Sequence, residues 1–166
     1  MNIKAIVYTS NTGYTAEYAR LLSEKSGLPA YTLDEAKKNL ERGCEIIYLG
    51  WLMASMIKGY RQAAKLFAIK AVCGICLGTT GSQIAEVKKM NKLPSSLPLF
   101  TLQGGFDMAR LRGMNRFMMK IVGSAIKKQI MSKPEQTEDD KRIVDMLDNG
   151  GSAVDVKHLD AVLALL

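Results

Sequence analysis

Short apolar segments alternate with helix-like segments five times along this chain, and no other feature constrains the fold as much. The apolar segments are rich in β-branched residues, which is typical of strands buried on both faces. The segments between them carry apolar residues three and four positions apart, the spacing of one helix face. Strands that alternate with helices in this way form a parallel sheet covered on both faces. The predicted strands are residues 3–8, 30–33, 45–50, 69–77 and 97–102, and the helices that follow them are residues 15–26, 34–40, 55–67, 82–90 and 108–131.

Two further helices are predicted after these five pairs, at residues 138–147 and 157–166, beyond a polar connection at residues 132–136. The chain has 166 residues, a length that suits one domain and leaves little room for two. We therefore predict a single domain over residues 1–166, with a basic helical segment at about residues 106–131.

No feature of the sequence predicts export or insertion into a membrane. The apolar start of the chain is interrupted by Lys4, and the longest apolar run, residues 66–77, is interrupted by Lys70. We therefore expect a cytoplasmic protein, with peripheral contact at the inner face of the membrane as a further option.

The chain has three cysteines, Cys44, Cys73 and Cys76, a small and odd number that favours reduced thiols. Cys73 and Cys76 form a Cys-x-x-Cys pair inside a predicted strand. Side chains three residues apart on a strand point to opposite faces, so this pair should not form a disulfide. Zinc needs more ligands than the pair supplies. We predict that these thiols are structural, and we predict no metal site.

The loop after the first strand is rich in hydroxyl groups and leads directly into a helix. Ligands of parallel sheets bind beyond the carboxyl ends of the strands, where this loop lies. The N–H groups at a helix start attract anions, and Gly13 lets the backbone approach a ligand closely. Neither the P-loop motif nor the glycine motif of dinucleotide-binding folds is present. The loop therefore predicts a phosphate site, with an ordinary helix cap as the alternative, because Ser and Thr are favoured there too.

The sequence around this loop also resembles the signature with which the flavodoxin family binds the phosphate of flavin mononucleotide (FMN). Residues 6–22 read Ile-Val-Tyr-x-Ser-x-x-Gly-x-Thr-x-x-x-Ala-x-x-Leu. The resemblance implies a three-layer α/β fold whose five-stranded parallel sheet has the order 2-1-3-4-5, with helices on both faces. It also implies that FMN is the cofactor. The phosphate ligands it implies are Ser10, Asn11, Thr12, Gly13, Tyr14 and Thr15, of which Tyr14 departs from the smaller polar residue that is common in the family.

Two further loops are implied to contact the flavin ring. The first, after the third strand, contains Gly50, Trp51, Leu52 and Met53. Trp51 is either a stacking partner of the flavin or a core residue, since tryptophan is often largely buried. The second, after the fourth strand, contains Gly78, Thr79 and Thr80. It lacks the acidic and aromatic residues usual in the family, which predicts a more open ring.

The net charge of +7 is concentrated in one part of the chain. Residues 107–133 contain seven Lys or Arg and one acid, whereas residues 134–166 contain eight acids and three bases. Within the predicted helix, one face carries Leu111, Met114, Met118, Ile121, Val122 and Ala125, and the roughly opposite face carries Arg112, Arg116, Lys120 and Lys127. The basic face predicts either contact with anionic lipid or an acidic partner, or simply a solvated surface. No nucleic-acid partner is predicted.

Residues 104–120, which begin Gly-Gly-Phe-Asp, are similar to a segment of the menaquinone-dependent protoporphyrinogen dehydrogenases, a branch of the flavodoxin superfamily. The general resemblance implies an FMN-dependent oxidoreductase or an electron carrier, with a redox partner protein or a quinone. The narrower one implies an enzyme that oxidises protoporphyrinogen with a membrane quinone. A flavin-free binding module on the same fold is a third hypothesis. No catalytic side chain is predicted, and His158, the only histidine, is expected to be a surface or packing residue far from the strand ends.

Overall fold

Five parallel strands form the centre of the computed structural model, which describes residues 2–111 and 113–166. In chain order the elements are β1 (Ala5–Thr9), α1 (Tyr14–Ser26), β2 (Ala30–Thr32), α2 (Leu33–Asn39), β3 (Glu45–Met53), β4 (Met56–Ile57), α3 (Tyr60–Ala64), β5 (Ala68–Cys76), α4 (Ile84–Asn91), β6 (Leu99–Gln103), β7 (Gly105–Phe106), α5 (Gly113–Met131), α6 (Glu138–Asn149), β8 (Gly151–Ser152), a 3-10 helix (Val156–Leu159) and α7 (Asp160–Leu163).

The central sheet has the strand order β2-β1-β3-β5-β6, and each neighbouring pair in it is parallel. When only these parallel strands are numbered, the order is 2-1-3-4-5, which is that of flavodoxin-like folds. The predicted fold class and strand order are therefore confirmed. A sixth short strand, β4, which the sequence did not predict, pairs antiparallel with the end of β3.

Alternate residues of the strands enter two apolar cores, one on each face of the sheet. In β3, Ile46 and Tyr48 are buried in the core that also contains side chains of α2, α3 and α4. Ile47 and Leu49 are buried in the other core, with side chains of α1 and α7. Complete burial of such side chains contributes about 1.5–3 kcal/mol each. The two cores hold the sheet between two helical layers and leave the carboxyl ends of the strands at one edge.

The predicted helix at residues 55–67 is wrong over its first part. β3 extends beyond its predicted end, turns at Ala54 and Ser55, which have φ values of 48° and 61°, and returns as β4. The buried side chain of Asn91 in α4 holds this return, because its Oδ1 accepts a hydrogen bond from Ile57 N at 2.8 Å and its Nδ2 donates to Ser55 O at 2.7 Å. These long-range bonds replace the first helical turns, and α3 has only five residues.

The chain after β6 also differs from its prediction. β7 follows β6 almost immediately and pairs antiparallel with β8, which follows α6. This pair ties the segment between β6 and α5 to the end of α6. The helix predicted at residues 157–166 is shorter, since a 3-10 turn precedes the four residues of α7.

The orientation of α5 is unexpected. Gly123 and Ile130 are buried on the side of α5 that packs against α6, where Lys127 pairs with Asp148 at 2.5 Å. The predicted apolar face points to solvent instead: Met114, Ile121, Val122 and Ala125 are exposed. Leu111 is buried just before the helix, whereas Arg112 and the Met118 side chain lie outside the described residues. The exterior of this helix is therefore both apolar and basic.

Candidate functional site

A cleft of about 90 Å³ lies at the carboxyl ends of β1, β3 and β5. The loop after β1 forms one side, the β3–β4 hairpin forms another, and the chain after β6 closes the third. Seven of the predicted site residues line it: Asn11, Thr12, Tyr14, Thr15, Trp51, Leu52 and Met53. The sequence did not indicate the other seven: Ile75, Cys76, Leu77, Gly105, Phe106, Leu111 and Met119.

The polar side of the cleft is the start of α1. The Ser10 hydroxyl accepts hydrogen bonds from Gly13 N at 3.2 Å and from Ala16 N at 3.3 Å, so Ser10 caps the helix from behind the loop. The remaining backbone N–H groups of the loop have no acceptor among the residues that the structure describes: Asn11, Thr12, Tyr14 and Thr15. Such N–H groups, at the positive end of a 13-residue helix, form a favourable position for an anion.

Arg110 adds a positive charge to this side of the cleft. Its guanidinium donates to Thr12 O at 3.3 Å, pairs with Asp107 at 3.3 Å and lies 5.4 Å from the centre of the Tyr14 ring. A Cβ atom at Gly13 would lie 3.6 Å from it. The sequence places Arg110 among the basic residues but not beside this loop. The strand order could have indicated this proximity, because the residues after β6 leave the sheet at the same edge as the loop after β1.

Tyr14 connects the loop to the chain after β6. Its ring is buried against Gly105, where a Cβ atom would lie 2.4 Å from the ring carbon Cε1. A larger residue at position 105 would therefore push the ring out of place. Burial raises the pKa of the Tyr14 hydroxyl, although the Arg110 charge opposes the rise, so the hydroxyl stays protonated at neutral pH.

The apolar side of the cleft is formed mainly by the β3–β4 hairpin. Trp51 is half-buried, belongs to neither apolar core and lines the cleft beside Leu52 and Met53. The ammonium group of Lys58 lies 5.6 Å from the centre of its ring. The sequence left open whether Trp51 is a core residue or a stacking partner of the flavin, and the core position is not observed. Gly50, further down β3, lies beneath the hairpin, where a Cβ atom would meet Lys58 O at 2.6 Å.

The loop after β5 contributes less to the cleft than predicted. Thr79 donates to Asp139 of α6 at 3.0 Å, and the Thr80 hydroxyl accepts from Gln103 N at 3.0 Å. Gly78 lies against the Ser82 side chain. These three residues build the loop and do not line the cleft, because they contact α6, β6 and Ser82, which precedes α4.

Cys76 and Leu77 line the cleft at this position instead. Burial raises the pKa of the Cys76 thiol to about 11 and that of Cys73 to about 12. Both cysteines are free, as the sequence predicts. Because neither is ionised at neutral pH, neither is a nucleophile: Cys76 contributes packing and polarity to the cleft, and Cys73 is buried in the apolar core.

His158 lies outside the cleft but is connected to a strand end. The buried Tyr18 hydroxyl donates to Gln103 O, the last residue of β6, and lies 2.7 Å from Nδ1 of His158. Since the single proton of Tyr18 is directed to that carbonyl, Nδ1 of His158 donates to the Tyr18 oxygen. His158 is therefore a packing residue, although it lies closer to the strand ends than predicted.

Comparison of the chain with protein-family models, with curated proteins and with solved structures found no match.

Proposed function

We propose that this protein binds FMN in the cleft and acts as a redox protein, either as an electron carrier or as an FMN-dependent oxidoreductase. The observation that carries the proposal is the pairing of two unlike surfaces in one cleft. Unpartnered N–H groups and a guanidinium lie on one side, and an apolar wall that includes Trp51 lies on the other. A phosphate joined to a flat, largely apolar ring has the same division.

The phosphate end of FMN is matched by the start of α1. The loop offers several N–H donors and the Thr12 and Thr15 hydroxyls, and the helix dipole favours negative charge there. Arg110 supplies a full positive charge within reach of the same loop. The Ser10 hydroxyl already accepts hydrogen bonds from Gly13 N and from Ala16 N in the first turn of α1, so its role is to shape the loop.

The ring end of FMN is matched by composition but not fully by size. The cleft of about 90 Å³ is smaller than the 300–1,000 Å³ or so of most small-molecule sites. Entry of the ring would therefore require the Trp51, Met53 or Met119 side chain to move aside.

The flavin itself would supply the electron-transfer chemistry. The chain's own residues hold the phosphate, orient the ring and exclude water from one of its faces. Among the described residues that line the cleft, no side chain is set up to move a proton at neutral pH, because Cys76 and Tyr14 both remain protonated there. The proposed protein contribution is therefore positioning and adjustment of the flavin potential.

Oxidation of protoporphyrinogen with a quinone is a second candidate. The apolar lining of the cleft continues through Leu111 and Met119 towards α5, so a large apolar molecule could approach the exposed part of the ring. The test is turnover of protoporphyrinogen by the flavin-loaded protein. Absence of turnover with both menaquinone and ubiquinone rejects this candidate and leaves electron transfer.

The FMN proposal is tested by titrating the purified protein with FMN and with riboflavin, while flavin absorbance and fluorescence are recorded. We expect saturable FMN binding and weaker riboflavin binding, because riboflavin lacks the phosphate. Equal binding of the two would contradict the phosphate assignment. If neither binds, the flavin-free module becomes the better hypothesis.

A further inference from the structure

The outward face of α5 carries large apolar side chains that no other part of the described chain covers. Phe117 is 63% exposed, Ile121 58% and Met114 74%, and Met131 at the end of the helix is 61% exposed. On a helix, residues 114, 117 and 121 lie on one stripe, because they are three and four positions apart. Isolated exposed apolar residues are ordinary, whereas a stripe of this kind marks a contact surface.

Cations lie along one side of this stripe and at its far end, and carboxylates are absent from it. α5 contains four basic residues, Arg116, Lys120, Lys127 and Lys128, and no Asp or Glu. Lys127 is engaged with Asp148 of α6, whereas Arg116, Lys120 and Lys128 are exposed and pair with no carboxylate among residues 2–111 and 113–166. Two carboxylates of α6 form ion pairs away from the outward face of α5. Asp148 pairs with Lys127 on the inner side of α5, and Asp140 pairs with Lys133 just after its end.

We propose that the outward face of α5 docks on an anionic lipid surface, with the helix lying parallel to it. Apolar side chains extend from Met114 to Met131, a distance of about 26 Å at 1.5 Å per residue. Apolar side chains flanked by cations are the pattern of helices that lie in the interface between lipid headgroups and acyl chains. The described residues include no helix long and apolar enough to cross a bilayer, so the contact is peripheral.

The charges favour lipid over a second copy of the chain. Two copies joined through this face would bring the same cations together, with no carboxylate on the face to neutralise them. An anionic lipid surface neutralises each cation, with a gain of about 1 kcal/mol per Lys or Arg, which corresponds to roughly fivefold in affinity. This proposal does not depend on the flavin, because the face lies outside the cleft.

Co-sedimentation with phosphatidylcholine vesicles, with and without phosphatidylglycerol, tests the proposal on the full chain. We expect binding only when phosphatidylglycerol is present, and weaker binding at high NaCl concentration. The double variant K120Q/K128Q should bind about 30-fold more weakly. The double variant F117S/I121S should also lose most of its binding, because its apolar contact with the lipid is gone.

Matched control variants lie on α4 and just after it, away from α5. M90S removes another exposed methionine, which is 45% exposed, and K89Q/K92Q removes two exposed lysines. Both should bind vesicles like the original chain, and circular dichroism checks that every variant is folded. Three outcomes would overturn the proposal: no binding to anionic vesicles, full binding by F117S/I121S, or lipid-free self-association that this variant abolishes.

Discussion

Arg110 lies beside the loop that the proposal assigns to the phosphate of FMN. It contacts Thr12 O and Asp107, and its guanidinium lies over the Tyr14 ring. In the proposed complex, the phosphate would replace the Thr12 carbonyl and the Asp107 carboxylate as partners of the guanidinium. A planar guanidinium suits a phosphate because it can donate two parallel hydrogen bonds.

If Arg110 pairs with a bound phosphate, the variant R110Q should weaken FMN binding and leave riboflavin binding unchanged. Hydrogen bonds to charged groups contribute about 1.5–3 kcal/mol, which corresponds to roughly tenfold to a hundredfold in Kd. Flavin fluorescence titration measures both ligands. The variant R116Q, which changes an exposed arginine of α5, serves as the control and should bind FMN normally.

The neighbouring Asp107 gives this prediction an independent check. Its carboxylate competes with the phosphate for Arg110, so D107N should bind FMN more tightly, by a smaller factor. If R110Q and D107N change FMN affinity in the same direction, Arg110 acts on the shape of the loop and not on the phosphate charge.

Among the elements, the β3–β4 hairpin determines the apolar side of the cleft, and α4 holds it in place. Asn91 is 3% exposed, and its amide bonds to Ser55 O in the turn and to Ile57 N in β4 just after it. Both turn residues have left-handed backbone conformations that favour glycine or asparagine. The hairpin therefore depends on Asn91 more than on its own turn.

Replacement of Asn91 by alanine should lower the free energy of unfolding by about 1–3 kcal/mol, because Ile57 N and Ser55 O lose their buried partner. Urea unfolding followed by circular dichroism measures this. The control is N39A, since Asn39 is exposed and bonds only within α2. An equal loss of stability in the two variants would mean that the buried hydrogen bonds of Asn91 contribute nothing particular.

Local patterns predicted the strands of the central sheet but not this hairpin. Ile46, Ile47, Tyr48 and Leu49 form an apolar run that has few alternatives to a buried strand. Residues 55–67 have helical spacing, and neither Ala54 nor Ser55 is a glycine or asparagine, the residues that favour the left-handed conformation of this turn. What decides their structure is a side chain in α4, more than thirty residues away, which no local window contains.

At the scale of the whole molecule, the buried thiols should make the free energy of unfolding fall as the pH rises in the alkaline range. The pKa of Cys73 is raised to about 12 and that of Cys76 to about 11 by burial, whereas unfolded thiols titrate near about 8.5. The folded protein therefore retains protons that the unfolded chain loses. The stabilisation from the neutral thiols is complete below about pH 8.5, and it is lost as the pH rises from there towards the folded values.

Urea unfolding at about pH 8 and about pH 10 should therefore show a fall in stability, with a slope of up to about 1.4 kcal/mol per pH unit for each thiol. The double variant C73A/C76A is less stable at neutral pH because it leaves small cavities, but its stability should fall less steeply with pH. An unchanged slope in the double variant would assign the effect to other groups.

The strand order predicts where the cleft lies. It does not predict that the chain after β6 lines the cleft, or which face of α5 is exposed. An alternating strand–helix pattern places ligands at the carboxyl ends of the strands, and seven of the predicted residues do line the cleft. Arg110, Gly105 and Met119 come from the chain after β6, whose course depends on the β7–β8 pair. For α5, spacing identified an apolar face but could not show which face packs on α6.

The position of α5 sets a distance that bears on the proposed chemistry. Met119 reaches the cleft from the inner side of this helix, while Phe117 and Ile121 lie exposed on its outer side. The cleft and a docked lipid surface are therefore separated by about one helix diameter, ~10 Å. If FMN binds in the cleft and α5 docks on lipid, an electron acceptor can receive electrons across the thickness of a single helix without leaving the bilayer.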